Sequence, residues 1–427
     1  MIKSYSIKNF KNHKNPYYIN FNGLTILTGT NNSGKSSILQ SLRLLSIVKD
    51  ESGVYTRLPF EKIKELGTFK DTLNKAVSRD DIIEYRFACD IEGFDFCSIT
   101  LQFNSTLKHI CKLIKDKDQS ILVKMDLYFQ KTGNEIQNFI FELAEDKEEI
   151  LYKVITPKGY ENSVIEFNGF VPSLDLFNEL LTDENKRLFN LIAQNTSLKE
   201  VFRFLSNISK SKIKYLSAYR NIQATNKSTS ENYLETHGQN TANIIQQLKE
   251  KKVFGENKNF GELFDYWTNR ILGSKFEVID EVDGPKIVLN ENDVLYNLEQ
   301  VGFGNTQIIP IIVMVLGSEK GDLLLIENPE VHLHPKWKAD LADLFYFAAL
   351  QGVKVIIETH SLEIINRVRV LVKNNENYKK YTNLYFFEKN GFGVNVQEIE
   401  IENTGKLSCW PENFIDKVTI EDTFKLI

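Results

Sequence analysis

No run of about 18 apolar residues occurs in this chain, which excludes a membrane-spanning helix. The opening Met1–Phe10 lacks the long apolar core of a secretory signal, so a cytoplasmic protein with no membrane partner is expected. Cysteine is scarce. Cys89, Cys97, Cys111 and Cys409 show no C-x-x-C spacing, which speaks against a disulfide frame or a zinc site and for reduced thiols. Charge of neither sign dominates: 52 Lys and Arg against 57 Asp and Glu leave a net charge of −5. That argues against a globally basic nucleic-acid binder but allows a local basic strip. Lys108, Lys112, Lys115 and Lys117, and the alternation Lys210/Lys212/Lys214, are such runs, and in a lysine-rich chain they read as solvated faces. No heptad pattern persists long enough for an extended coiled coil, and no tandem repeat is present.

What is there begins with Gly29-Thr30-Asn31-Asn32-Ser33-Gly34-Lys35-Ser36, which fits the phosphate-loop pattern GxxxxGK[ST]. Leu24–Thr28 ahead of it reads as a buried strand, and Ser37–Ser46 behind it carries apolar residues at helical spacing. Strand, glycine loop and helix are the context the motif needs. Backbone N–H groups of the loop and the helix N-terminus form a nest for phosphate oxygens. Lys35 is predicted to reach the β and γ phosphates, and the Ser36 hydroxyl to bind Mg²⁺, with Gly29, Asn31, Asn32, Ser33, Gly34 and Ser37 completing the cradle.

Periodicity divides the chain into four segments. Residues 1–80 form an N-terminal lobe with the phosphate loop, and 81–171 a β-rich part, predicted as an antiparallel meander with turns at Lys131–Asn134, Pro157–Gly159 and Asn168–Gly169. Residues 172–275 form a helical insertion with a polar stretch near 223–240, and 276–427 a C-terminal lobe. The fold class expected is α/β, a mixed or parallel sheet core with helices, plus an antiparallel β subdomain.

The C-terminal lobe holds the other half of a nucleotide site. Leu323–Glu327 is an apolar run ending in an acid, a buried parallel strand whose Glu327 is placed to hold Mg²⁺. Val353–Glu358 is a second apolar strand, ending in Thr359-His360-Ser361. His360 is suited to hydrogen-bond a γ-phosphate or an attacking water, or else to a structural role. Upstream, Gly302-Phe303-Gly304-Asn305-Thr306-Gln307 precedes an apolar helix, either a second anion nest that approaches phosphate in a partner subunit or a glycine turn feeding a buried helix.

Taken in order, these motifs resemble the ABC-type ATPase heads, which include the SMC proteins and the OLD (overcoming lysogenization defect) ATPases. The residues concerned are Asn9-Phe10-Lys11, the phosphate loop, Val301–Gln307, Leu325–Pro335 and Thr359–Ser361. Tyr215–Arg220, His237–Asn240 and the tail Gly405–Phe414, with its Trp410-Pro411, are similar to a prokaryotic branch with a C-terminal Trp-Pro module. The resemblance implies ATP as ligand and a homodimer or higher oligomer. In it, two heads sandwich two nucleotides, and each phosphate loop faces Gly302, Phe303, Gly304, Asn305 and Gln307 of the other head. It also implies a part in anti-phage defence beside a separate effector, a nuclease or toxin, since no nuclease segment follows Ser361. An SMC- or RecF-like repair ATPase that binds DNA or RNA directly, and a scaffold that binds ATP without hydrolysing it, stay open.

Two departures from the pattern bear on catalysis. Asn328 stands where these heads carry a glutamate that polarises the attacking water, and an amide cannot accept that proton. Glu330, two residues on, is the substitute. Gly302 replaces the usual serine of the signature segment, removing one donor to phosphate. Slow hydrolysis is expected, with Glu330, His360 and Asn328 as the catalytic set.

Overall fold

The computed structural model describes residues 1–48, 56–78, 81–105, 120–144, 150–157, 159–168, 170–172, 190–208, 212–222, 234–254, 258–282, 284–411 and 414. The fold is α/β, as the sequence implies. Strands β1 (Ile2–Lys8), β2 (Ile19–Asn20) and β3 (Leu24–Gly29) lead into helix α1 (Lys35–Ser46), followed by a single-turn helix α2 (Phe69–Thr72). Two compact units result. One comprises Met1–Asn20, Gln40–Ile213 and Lys389–Asn395, and the other Phe21–Leu39, Lys214–Glu388 and Val396–Ile427.

The first unit is built on the predicted meander. Strands β4 (Ile83–Cys89), β5 (Phe94–Asn104), β6 (Ile121–Lys131), β7 (Gln137–Leu143), β8 (Tyr152–Thr156) and β9 (Gly159–Ile165) pair antiparallel in sequence order, with β1 and β2 beyond β4. Alternate residues of β5 (Cys97, Ile99, Leu101 and Phe103) are buried, the period-2 pattern of a sheet with one covered face. A ribbon of β10 (Phe167–Asn168) and β11 (Val171–Pro172) precedes helix α3 (Thr196–Asn207), whose Leu198, Val201, Phe202 and Leu205 form its buried stripe. The helical pattern expected from residue 172 onward lies, over 173–189, outside the described residues.

The second unit carries a six-stranded sheet. Its order is β12 (Ile213–Leu216), β16 (Leu323–Glu327), β17 (Lys354–Glu358), β3, β18 (Thr382–Asn390) and β19 (Gly393–Glu398). Strands β16, β17, β3 and β18 run parallel. Such strands are covered on both faces, which is why Leu323–Ile326 and Val355–Ile357 are continuous apolar runs with almost no exposure. Helices α4 (Thr241–Leu248), α5 (Phe260–Leu272), α6 (Phe303–Leu316), α7 (Pro335–Leu350) and α8 (Leu362–Asn374) supply the cover. In α6 every residue from Gln307 to Leu316 is buried, so beyond its first turn it is a core helix. A separate antiparallel sheet of β13 (Lys275–Glu281), β14 (Gly284–Glu291) and β15 (Val294–Asn297) lies ahead of α6 in the chain. The sequence reading placed an α/β block here without resolving these hairpins.

Candidate functional site

Parallel pairing brings the motifs of the second unit to one sheet edge. Glu327 is in register with Glu358, and Glu358 with Leu27, so β16, β17 and β3 end together at their C-termini. Ligands of open α/β sheets bind at such ends.

The phosphate loop leaves β3 at Gly29, whose φ of 136° is in the glycine region; a Cβ there would lie 2.0 Å from the Phe387 carbonyl of β18. Gly34 at φ 94° then turns the chain into α1. Ser33, Lys35 and Ser37 are buried, whereas Asn31 and Asn32 face solvent. The Lys35 ammonium donates to Gly29 O at 3.1 Å, Thr30 O at 2.7 Å and Ser33 Oγ at 3.5 Å. Burial lowers its pKa, and the charge of Glu358 opposes that shift.

Ser36 donates its hydroxyl to Glu358 Oε1 at 2.9 Å. Glu358 is only 5% exposed. Burial, then the like charges of Glu327 and Glu330, push its carboxyl up to about 7, against the pull of Ser36 and Lys35. The sequence reading noticed the acidic end of this strand but gave Glu358 no role.

The turn after β16 is held to β17. Asn328 N–H donates to Glu358 O at 2.8 Å, and Asn328 itself sits at φ 39°, a left-handed conformation that asparagine tolerates. Glu330 Oε1 accepts the His360 N–H at 2.8 Å, which ties the turn to the strand end that carries His360. Burial raises the Glu330 pKa although that hydrogen bond opposes it. Burial also lowers the His360 pKa, with Lys35 adding to the effect. Asn328 Oδ1, Glu330 Oε2 and Glu358 Oε2 are buried with no hydrogen-bond partner among the described residues. Buried polar atoms are paired as a rule, so this concentration marks a place where a ligand completes the bonding.

Arg220 is the largest of the buried side chains here, at 1% exposure. Its Nη2 donates to Glu327 O at 2.6 Å, and its Nε and Nη1 have no partner among the described residues. Burial lowers its pKa to about 10, opposed by Glu330 and Glu327. The loop that carries it follows β12 and is pinned by Ser217 Oγ to His237 Nδ1 (2.6 Å) and by Asn221 N–H to His237 O (2.8 Å). The two middle segments singled out in the sequence are therefore one structure, a loop and its brace.

The Gly302–Gln307 segment starts α6. Gly302 and Phe303 are exposed, and the Phe303 ring meets His332 edge-on at 5.0 Å. Gly304 packs on α7: a Cβ would lie 2.9 Å from the Trp337 ring. Asn305 N–H closes the first turn on Gly302 O at 3.0 Å. Gln307 is buried and donates to Arg220 O at 2.9 Å, so its amide is used within the head.

The family described as AAA ATPase domain matches residues 1–365, and the one described as Protein of unknown function (DUF3696) matches residues 379–422. An ATP/GTP phosphatase of Helicobacter pylori (strain ATCC 700392 / 26695) is 53% identical over 45 residues, which span 10% of this chain and 12% of that protein. Among solved structures, an Smc head bound to the C-terminal winged-helix domain of ScpA is similar at TM-score 0.49 and 11% identity, over 94% of this chain and 98% of that one. The SMC head domain from Thermotoga maritima gives 0.42 and 9%, over 94% and 99%. With the phosphate loop, Glu327, Glu330 and His360 all inside the matched span, the chain belongs to the AAA ATPase domain family.

Proposed function

We propose that this ATPase is an ABC-type head that binds ATP and Mg²⁺ and works as a dimerising switch with slow or triggered hydrolysis. The observation that carries the reading is the convergence of Lys35, Ser36, Glu327, Glu330, Glu358 and His360 at the ends of three adjacent parallel strands. In this reading Lys35 leaves its loop carbonyls for the β and γ phosphates, while the N–H groups that open α1 take the remaining oxygens. A bound Mg²⁺ supplies positive charge against the phosphate oxygens, and the residues present fit it. Ser36 offers a hydroxyl, and Glu327 a carboxylate at the C-terminal end of β16. Glu330 Oε2 takes the proton of the attacking water, His360 holds that water or the γ-phosphate, and Asn328 can only orient.

The wider role proposed is that of a cytoplasmic sensor or regulator, OLD-like, in an anti-phage defence complex with a separate nuclease or toxin. Its support is the order of motifs and the Trp-Pro tail. Copurification from the native operon, with and without ATP, tests it; the absence of any effector in both would count against it. For the nucleotide site itself, Lys35→Ala removes the one ammonium on the loop. ATP affinity by calorimetry should fall at least about tenfold, equivalent to about 1.4 kcal/mol. Unchanged affinity in a folded variant overturns the assignment.

A further inference from the structure

The phosphate-loop serine has a carboxylate partner to which the sequence reading assigned no role. Ser36 Oγ bonds to Glu358, which sits on β17, the strand between β3 and β16. Glu358 and Glu327 are register neighbours, so their side chains leave the sheet on the same face. Lys35 makes no ion pair with Glu358; its ammonium is spent on Gly29, Thr30 and Ser33.

A buried carboxylate with one hydroxyl donor is costly unless a cation completes it. A side chain retained only to hold Ser36 could be a threonine or glutamine without that cost. A hydroxyl that gives its hydrogen to a carboxylate also turns its lone pairs outward, the arrangement a hard cation needs. No group of three or more His, Cys, Asp or Glu side chains among the described residues is arranged to hold a metal. Mg²⁺ in phosphate sites, however, is held by one or two carboxylates plus phosphate oxygens and water.

We propose that Glu358 is a metal-site carboxylate, holding the divalent cation of the bound nucleotide together with Ser36 and the neighbouring Glu327. The proposal rests on the nucleotide reading above and adds to it a residue from a different strand.

The test is Mn²⁺ binding to the protein–ATP complex, followed by the electron paramagnetic resonance of free Mn²⁺, beside ATP binding measured calorimetrically in EDTA. Glu358→Gln keeps an acceptor for Ser36 but removes the charge. Mn²⁺ affinity should fall about tenfold or more, while metal-free ATP binding stays the same or tightens. Glu358→Val, suited to a buried strand, is the second variant should the first not fold, with the same loss expected. Wild-type Mn²⁺ affinity in either folded variant overturns the proposal. Failure of the wild-type protein to bind ATP even in EDTA overturns instead the nucleotide reading beneath it, so the two failures are distinguishable.

Discussion

At the residue scale the proposed hydrolysis turns on Asn328 and Glu330, two residues of the turn after β16. Asn328 occupies φ 39°, where a glutamate would carry backbone strain of about 1–2 kcal/mol. It would also bring a further carboxylate into a pocket that already holds Glu327, Glu330 and Glu358. Asn328→Glu is therefore a poorer route to fast turnover than the bare motif suggests. Glu330 has the better geometry: one oxygen holds the His360 backbone, and the other is buried without a partner among the described residues. Glu330→Gln preserves an acceptor for His360 N–H and removes the base. Single-turnover hydrolysis should fall about 10²- to 10⁴-fold with ATP affinity kept. A wild-type rate in this variant would assign the proton to another group.

At the element scale the start of α6 serves two neighbours, and its two glycines do different work. Gly304 is fixed by packing: a methyl there meets the Trp337 ring at 2.9 Å and the His332 carbonyl at 3.2 Å. Gly304→Ala should destabilise the fold by about 1–3 kcal/mol, as overpacking does, read as a lower midpoint in urea. Unchanged stability would show that Trp337 yields freely. The same element shows what a sequence can and cannot tell. Strand, loop and helix around Lys35 were legible because each pattern is local, as were Leu323–Glu327 and Val353–Glu358. The bond from Ser36 to Glu358 joins residues 322 apart, and that from Arg220 to Glu327 residues 107 apart. Such pairings follow from the strand order β12-β16-β17-β3, which no local period encodes. The β13–β15 hairpins were missed for another reason. In β15, Val294, Leu295 and Tyr296 are all exposed, so the inside–outside alternation that marks a strand is absent.

At the scale of the whole molecule, the proposed sandwich of two heads turns on Gly302. A Cβ at Gly302 has nothing within 4 Å, and its φ of −28° lies outside the region reserved for glycine. A large side chain is therefore tolerated within one head, and Gly302→Trp makes a cleaner probe of the partner's approach than any change at Gly304. Glu330→Gln as background should keep ATP intact while the measurement is made. In that background, ATP with Mg²⁺ should double the mass seen by light scattering. Adding Gly302→Trp should leave each head able to bind ATP on its own loop but hold it as a monomer, because the indole occupies the space where the second phosphate cluster would enter. Adding Lys35→Ala should also prevent dimerisation, but through lost nucleotide. If Gly302→Trp still dimerises with ATP, this segment does not face the partner's loop. If the parent remains monomeric with ATP bound, nucleotide does not drive assembly and the switch reading fails.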